Sequence, residues 1–329
     1  MRIREGKADV EVPDGVFYNP IQKLSRDIVV AIARVEGVKR YFEPFAATGI
    51  RTLRMFLEAN VQEAVVNDRK KEHAEVARRI LSGYNVRVYN EDAHRLIREM
   101  MREPFDMVDL DQFGLPWRYI DGAIMATRPG GILTFIIPYP HDLFGELPNK
   151  CLRIYGSKPV KAAFRYERGA RIALLELSRR AAAFDRHIEP LLTFRHKYYL
   201  RFVVRVKRKA KDPKIWRVKH DDVNFELLEE PRSYMNLGGP ARGGKIWDKG
   251  FIGKLISAAP SEDSKRFLSK IYKEADAPPL YYDIRAICSK LKTNVPKMKR
   301  LEELGLIRTH FYEYGIRAPS INDIIKALL

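Results

Sequence analysis

The feature that most constrains the fold is a regular alternation, through residues 28–137, of short apolar runs with amphipathic stretches. By periodicity, residues 28–35, 48–59, 70–81, 93–101 and 119–127 read as helices, and 40–45, 61–67, 86–90, 105–109 and 132–137 as strands or strand-like runs. Pro129-Gly130-Gly131 reads as a turn before the last of these. Strands separated by single helices cannot pair as hairpins, so each crossover must lay its helix on a parallel sheet. The expected class is therefore α/β, a doubly wound sheet with helices on both faces.

After Pro190 the texture changes. Residues 197–207 alternate apolar and basic side chains as a half-exposed strand does, Lys207-Arg208-Lys209 begins a basic turn, and 215–218 reads as the partner strand. Residues 221–250 are rich in turns, and 251–258, 264–275, 282–291 and 295–304 have helical spacing. The last two, with an extended 306–312, suit a small helical or winged-helix unit. A chain of 329 residues exceeds one ordinary core. The expected division is 1–210, carrying the sheet and an amino-terminal arm, and 211–329, a smaller unit.

Charge bounds the partners. The chain carries a net charge of +18, and between Arg195 and Lys219 eleven basic residues face one acid, Asp212. A charge-rich surface of balanced sign would not concentrate them so. Neutralisation by a polyanion would, which points to nucleic acid, with Lys207, Arg208 and Lys209 as candidate contacts. The apolar run at 132–138 is far shorter than the roughly 18 residues of a membrane span. No secretory signal is visible, and Cys151 and Cys288 cannot build a disulfide framework or a thiolate metal cluster. The expectation is a cytoplasmic protein with no membrane association, no metal and no obligate protein partner.

In a doubly wound sheet, ligands sit beyond the carboxyl ends of the strands. The first such loop, Glu43-Pro44-Phe45-Ala46-Ala47-Thr48-Gly49-Ile50-Arg51, has one glycine and small neighbours rather than the GxGxxG that a pyrophosphate requires. It suits a smaller cofactor such as S-adenosylmethionine. Asp68, nineteen residues after Gly49, ends the next strand, where a carboxylate reaches ribose hydroxyls. Asp92-Ala93 ends the third, near an adenine edge. Each aspartate is equally suited to capping the following helix. At the fourth strand end stands Asp109-Leu110-Asp111-Gln112-Phe113-Gly114-Leu115-Pro116, an acid followed by an aromatic and a glycine, the set of groups that holds an extruded base.

Over nearly its whole length the chain resembles the archaeal-like tRNA (guanine-N2)-dimethyltransferases that modify guanine 26 of tRNA. The resemblance rests on Val16-Phe17-Tyr18-Asn19-Pro20, Arg26-Asp27-Ile28, Ala47-Thr48-Gly49-Ile50-Arg51, Asn67-Asp68, Asp92-Ala93 and Asp109-Leu110-Asp111-Gln112-Phe113-Gly114. Further along it includes Cys151-Leu152-Arg153, Tyr155-Gly156, Glu167, Gly169, Arg171-Ile172, Ile188-Glu189-Pro190-Leu191-Leu192, Tyr281-Tyr282-Asp283 and Arg308-Thr309-His310-Phe311. It implies a Rossmann-like S-adenosylmethionine-dependent methyltransferase domain with a smaller α+β carboxyl-terminal domain. It also implies Asp111 as the catalytic carboxylate and Phe113 beside it, with Phe17 and Gly114 at the base. Arg26, Thr48, Gly49, Arg51, Asp68, Asp92 and Ala93 then fall at the donor, the two arginines toward its carboxylate.

Three departures stand out. Gln112 replaces the proline usual after the catalytic aspartate, keeping a carbonyl there but not proline's stiffness. Leu115 replaces a serine. Ile137-Pro138-Tyr139-Pro140-His141-Asp142 replaces a threonine-rich segment. The changes bear on turnover and on mono- versus dimethylation. They leave two alternatives, an RNA-binding protein with weak or no catalysis and an enzyme acting on another RNA or DNA amine. His187, His196 and His310 read as structural; His141-Asp142 is the histidine pair nearest a site.

Overall fold

The computed structural model describes residues 1–229 and 238–328; part of the turn-rich 221–250 segment, 230–237, lies outside the described residues. A hairpin of β1 (Arg2–Glu5) and β2 (Ala8–Glu11) leads through an extended arm into α1 (Lys23–Glu36). Asn19 opens the helical turn by accepting the Ile21 N–H at 3.0 Å, and Gly37 closes α1 in the left-handed conformation.

The expected alternation follows. It runs β3 (Arg40–Glu43), α2 (Ile50–Ala59), β4 (Glu63–Asn67), α3 (Lys71–Ile80), β5 (Val86–Tyr89) and α4 (Ala93–Met100). Next come β6 (Phe105–Leu110), α5 (Trp117–Ala126), β7 (Thr127–Pro138), α6 (Pro148–Tyr155), α7 (Arg165–Ala182), β8 (Arg186–His196) and β9 (Tyr199–Arg208). The turn expected at Pro129-Gly130-Gly131 is instead part of β7, whose register against β6 shifts between Phe105 and Met107. One seven-stranded sheet has the order β5-β4-β3-β6-β7-β9-β8. Its first five strands are parallel, and β9 runs antiparallel to both neighbours. The chain direction across the sheet reverses between β3 and β6, so their loops frame the crevice where ligands bind in such folds.

The expected pairing of 197–207 with 215–218 is not formed. Strand β9 lies between β7 and β8, matching Tyr199 to Pro138 and Arg205 to Ile132, and pairs with β8 through a turn at Lys197 and Tyr198. The two-residue turn to β8 closes with less entropy loss than the connection from Arg208 to Ile215, and alternation marks a strand without naming its partner. Nor is β9 half exposed: Tyr199 to Val204 are all buried, including Arg201. Strand β10 (Ile215–His220) pairs instead with β11 (Phe225–Glu229) and β12 (Gly238–Arg242).

The rest of the chain holds α8 (Lys249–Ala258), α9 (Glu262–Glu274), β13 (Tyr282–Asp283), α10 (Ile284–Lys290) and α11 (Met298–Glu303). It ends with β14 (Ile307–Arg308), β15 (Gly315–Arg317) and α12 (Ile321–Leu328). Only two residues of the expected extended 306–312 are strand, and β15 lies between β13 and β14. This small unit has its own core of Ile284, Ile287, Leu301, Ile316 and Ile324. Helix α1 packs on α2, α8 and α9, while α5 packs on α4 and α7. The largest apolar cluster runs without a break from Val29 and Val30 of α1 to Trp247, Phe251, Ile252 and Phe311. Among the described residues no helix is long and apolar enough to cross a membrane.

Candidate active site

The loops after β3, β4, β5 and β6 meet at the carboxyl edge of the sheet. After β3 the chain turns through Ala47 and Gly49, with φ of 46° and 75°, and enters α2 without a side-chain cap. The left-handed φ at Gly49 is the conformation that lacks a Cβ penalty only in glycine. Thr48 is buried, its Oγ1 accepting the Ile50 N–H at 3.4 Å. Asp68 folds back on this loop: Oδ2 accepts the Ala47 N–H at 3.0 Å and Oδ1 the Lys70 N–H at 2.9 Å. Asp92 does cap α4, and it uses only Oδ1, for the N–H groups of His94 (3.0 Å) and Arg95 (3.3 Å). Ala93 is buried beside it.

A buried ion cluster lies behind the β6 loop. Arg51 reaches from the first turn of α2 to Asp109 at 2.6 Å, to Glu43 at 3.4 Å, and to Asp111. Arg201 of β9 closes on the other oxygen of Asp109 and on the Ser25 hydroxyl at 3.1 Å. Burial works against ionising Asp111, but Arg51 and Arg201 outweigh it and hold its carboxyl below the usual range. Glu43 differs: burial dominates and pushes it up to about 7, although Arg51 opposes and the Thr52 hydroxyl donates to it at 2.5 Å. Asp111 retains 12% of its side-chain exposure, so a ligand can reach it. The guanidinium of Arg51 is thus taken up by protein carboxylates, leaving its buried Nε unpartnered among the described residues.

Arg26, expected at the donor's carboxylate, is neutralised by Glu5. Its Nε lies 2.8 and 3.0 Å from the two Glu5 oxygens, and its Nη2 donates to Glu5 at 2.8 Å and to the Asn19 carbonyl at 3.1 Å. Arg54 shares Glu5 and also pairs with Asp27 and Glu58. A buried arginine needs a carboxylate, and here the amino-terminal hairpin supplies it. This network fastens the arm that carries Phe17.

Phe113 stands out 81% exposed at the end of the β6 loop, and Phe17, 43% exposed, meets it edge-on with centroids 5.3 Å apart. Two large aromatics left in water, one of them on the loop that carries an ionised carboxylate, are a binding feature rather than a core one. Gly114 has φ of 76° and open space where a Cβ would stand, so the chain turns sharply there and leaves room. Gln112 is buried, and its Nε2 donates to the carbonyls of Ile136 (2.9 Å) and Gly114 (3.1 Å). The stiffness expected to be lost with proline is therefore supplied by a side chain that ties the loop to β7.

The structure separates the basic turn from this site. Lys207, Arg208 and Lys209 end β9, which runs antiparallel, so they lie beyond the amino ends of the parallel strands, roughly 30 Å of extended chain from Tyr199. Several of the eleven clustered cations are used internally as well, among them Arg201 as above, Arg205 on Glu36 at 2.7 Å, and Arg195 on the Phe311 carbonyl at 3.1 Å. His310 contacts Glu274, His187 bonds the Lys209 carbonyl at 2.7 Å, and His196 packs on Tyr199 and Phe267.

Sequence reasoning missed His73, whose Nδ1 lies 3.2 Å from Asp68 while its Nε2 accepts the Phe17 N–H at 3.4 Å. It joins the β4 loop to the aromatic arm, and nothing in a lone histidine on α3 signals that. It also missed Arg201, for which a signal exists. An arginine within the run Tyr199-Leu200-Arg201-Phe202-Val203-Val204 must pair with an acid if the strand is buried.

Comparison with known proteins identifies the family. The family model described as N2,N2-dimethylguanosine tRNA methyltransferase matches residues 1–328. The chain is 30% identical to a tRNA (guanine(26)-N(2))-dimethyltransferase of Methanosphaera stadtmanae, over 99% of this chain and 96% of that one. It is 31% identical to the protein of the same name from Thermococcus kodakarensis, over 99% and 98%. Its fold matches Trm1 from Pyrococcus horikoshii, solved with S-adenosyl-L-methionine, with a TM-score of 0.91, 28% identity, and coverage of 100% and 99%. The chain, with its carboxylate and paired aromatics at the carboxyl edge of a doubly wound sheet, belongs to the N2,N2-dimethylguanosine tRNA methyltransferase family.

Proposed function

We propose that Asp111, on the same loop as Phe113 of the Phe17–Phe113 pair, receives the exocyclic amine of guanine 26 in tRNA and supports its double methylation. Family membership makes the protein an S-adenosyl-L-methionine-dependent tRNA guanine-N2 methyltransferase. The observation that carries the residue assignment is an accessible, ionised carboxylate two residues before an exposed ring that a second exposed ring meets edge-on.

The N2 amine of guanine is a poor nucleophile because its lone pair is delocalised into the ring. Stacking on Phe113 and Phe17, about 1–3 kcal/mol per base, offsets much of the cost of taking the base out of the RNA. The oxygen of Asp111 that Arg51 leaves free accepts hydrogen bonds from the base edge and draws electron density toward N2. When bound, the donor supplies an electrophilic methyl group on a sulfonium. As the N–C bond forms and the S–C bond breaks, N2 becomes acidic and its proton passes to Asp111, then to water. Held ionised by Arg51, Asp111 is ready as an acceptor, and the release of a strongly acidic proton needs no strong base.

The residues fit the donor. The uncapped amides of α2 and the unpartnered Arg51 Nε suit its carboxylate, the second lone pairs of Asp68 its ribose, and Asp92 Oδ2 with Ala93 its base. Thr48 and Gly49 shape the turn, and Arg26 positions the arm. Lys207, Arg208 and Lys209 are assigned to phosphates distant from the target. The 1–210 and 211–329 division, the latter binding tRNA, and a cytoplasmic location complete the reading.

Nucleoside mass spectrometry of an unmodified tRNA transcript incubated with protein and donor tests it. Wild type yields dimethylguanosine, and Asp111→Ala loses about 10²–10⁴-fold in rate with tRNA affinity retained. Unchanged turnover in that variant overturns the role of Asp111.

A further inference from the structure

We propose that Tyr139, Tyr198 and His141 form a stacking surface for the nucleotide flanking the target guanine, an inference that rests on the tRNA reading of the neighbouring site. Strand β7 stops at Pro138, and Tyr139 leaves it with φ of 47°, a left-handed conformation that costs a tyrosine roughly 1–3 kcal/mol. That conformation leaves 62% of Tyr139 exposed. Its ring is nearly parallel to Tyr198, at 14° and 4.9 Å, and to His141, at 8° and 6.4 Å.

The rings are fixed in advance. The Tyr139 N–H donates to the Tyr198 carbonyl at 2.7 Å, and the His141 N–H to the Tyr139 carbonyl at 2.8 Å. His141 Nδ1 lies 2.6 Å from Glu146, and the Tyr198 hydroxyl accepts Asn19 Nδ2 at 2.6 Å. Asn19 is two residues beyond Phe17, so one arm touches both aromatic groups. Gln112 sets the Asp111 loop level with Ile136, and Tyr139 is three residues further along, about 10 Å of extended strand.

Parallel rings in water next to a base slot have one economical ligand. Extruding the target base removes a stacking face from its neighbour in the RNA, and Tyr139 replaces that face. Stacking tolerates any base, and exposed Lys197 beside Tyr198 serves the connecting phosphate. A packed core explains none of this exposure, and a cationic partner is disfavoured by a chain of net charge +18.

The test uses tRNA transcripts carrying 2-aminopurine next to the target guanine, with wild type, Tyr139→Phe, Tyr139→Leu and Tyr139→Ala. Wild type and Tyr139→Phe quench the probe on binding. Tyr139→Ala and Tyr139→Leu leave it bright and raise the KM for tRNA about 5- to 150-fold. In all four proteins, donor affinity and kcat at saturating tRNA stay within about twofold. Equal quenching by Tyr139→Leu and wild type, or an unchanged KM, overturns the proposal while leaving the reaction intact. Quenching by a wild type that transfers no methyl group overturns the reaction and supports the stacking surface.

Discussion

Arg51 and Arg317 are hubs of two buried ion clusters built from the same side-chain types, and the clusters differ in what they leave open. Arg317 gives Nη2 to Glu167 at 2.7 Å, Nε to Glu274 at 2.8 Å, and Nη1 to the carbonyls of Pro278 and Leu280. Glu167 also takes Arg171 and the Leu280 N–H, and Glu274 takes His310, so all four carboxylate oxygens are engaged. Burial would raise Glu274, but His310 and Arg317 hold it at about 2. The cluster joins α7, α9 and β15 with protein on every side. Around Arg51, by contrast, Asp111 stands one residue past the end of β6, at the crevice. A carboxylate saturated inside a seam fastens the fold; the same group at a strand end, with one oxygen toward solvent, binds.

Removing each hub breaks that comparison most directly. Arg317→Met leaves Glu167 and Glu274 buried without their shared cation, a loss of about 3–5 kcal/mol in unfolding free energy. Below its unfolding temperature the variant keeps kcat within about twofold. Arg51→Met is milder in stability, because Arg201 still holds Asp109, yet it lowers methyl transfer by roughly 10²-fold or more as Asp111 loses the charge that keeps it ionised and placed. Equal falls in kcat for the two variants, compared while both are folded, would erase the distinction.

The two clusters also respond to pH with opposite sign. Glu43 sits at about 7 against an ordinary 4.5, so the folded protein holds a proton that the unfolded chain has released. Its stabilising contribution is complete below pH 4.5 and is lost as pH rises toward 7. Glu274, at about 2, contributes above pH 4.5 and loses that contribution as pH falls toward 2. In melting curves across this range, Glu43→Gln flattens the upper limb and Glu274→Gln the lower. A Glu43→Gln protein that still declines like wild type between pH 4.5 and 7 would remove Glu43 from the account.

Much of the sheet was legible because helix and strand periods are local properties: the elements from β3 to α5 fall within a few residues of their expected limits, while α1 and β7 each begin five residues earlier than expected. No strand is expected at 186–196 from the sequence pattern, so β9 lacked its true hairpin partner, β8, and was matched to 215–218. Site residues follow the same rule. Asp111 and Phe113 are two residues apart in sequence and could be read together. The acids that claim Arg26 and Arg51 could not, since Glu5 lies 21 residues from Arg26, and Asp109 lies 58 from Arg51. Gln112 looked like a loss of stiffness because its partner, the Ile136 carbonyl, belongs to another strand.

The smallest effect belongs to the basic turn, and it contrasts the two ends of the sheet. Lys207 already faces Glu189 at 3.7 Å, and the turn is held by the Ala210 N–H on Asp185 at 2.8 Å, far from the crevice. Phosphate contacts made there neutralise charge without touching the reacting base. Replacing Lys207, Arg208 and Lys209 together by alanine therefore weakens tRNA binding only modestly and lowers the slope of log affinity against log salt by about 1 per contact removed. The value of kcat at saturating tRNA is unchanged. Titrations at several salt concentrations separate this from a stacking defect, which weakens binding at every salt concentration without altering the slope. An unaltered slope in the triple variant places the tRNA elsewhere, on the carboxyl edge that already carries Asp111.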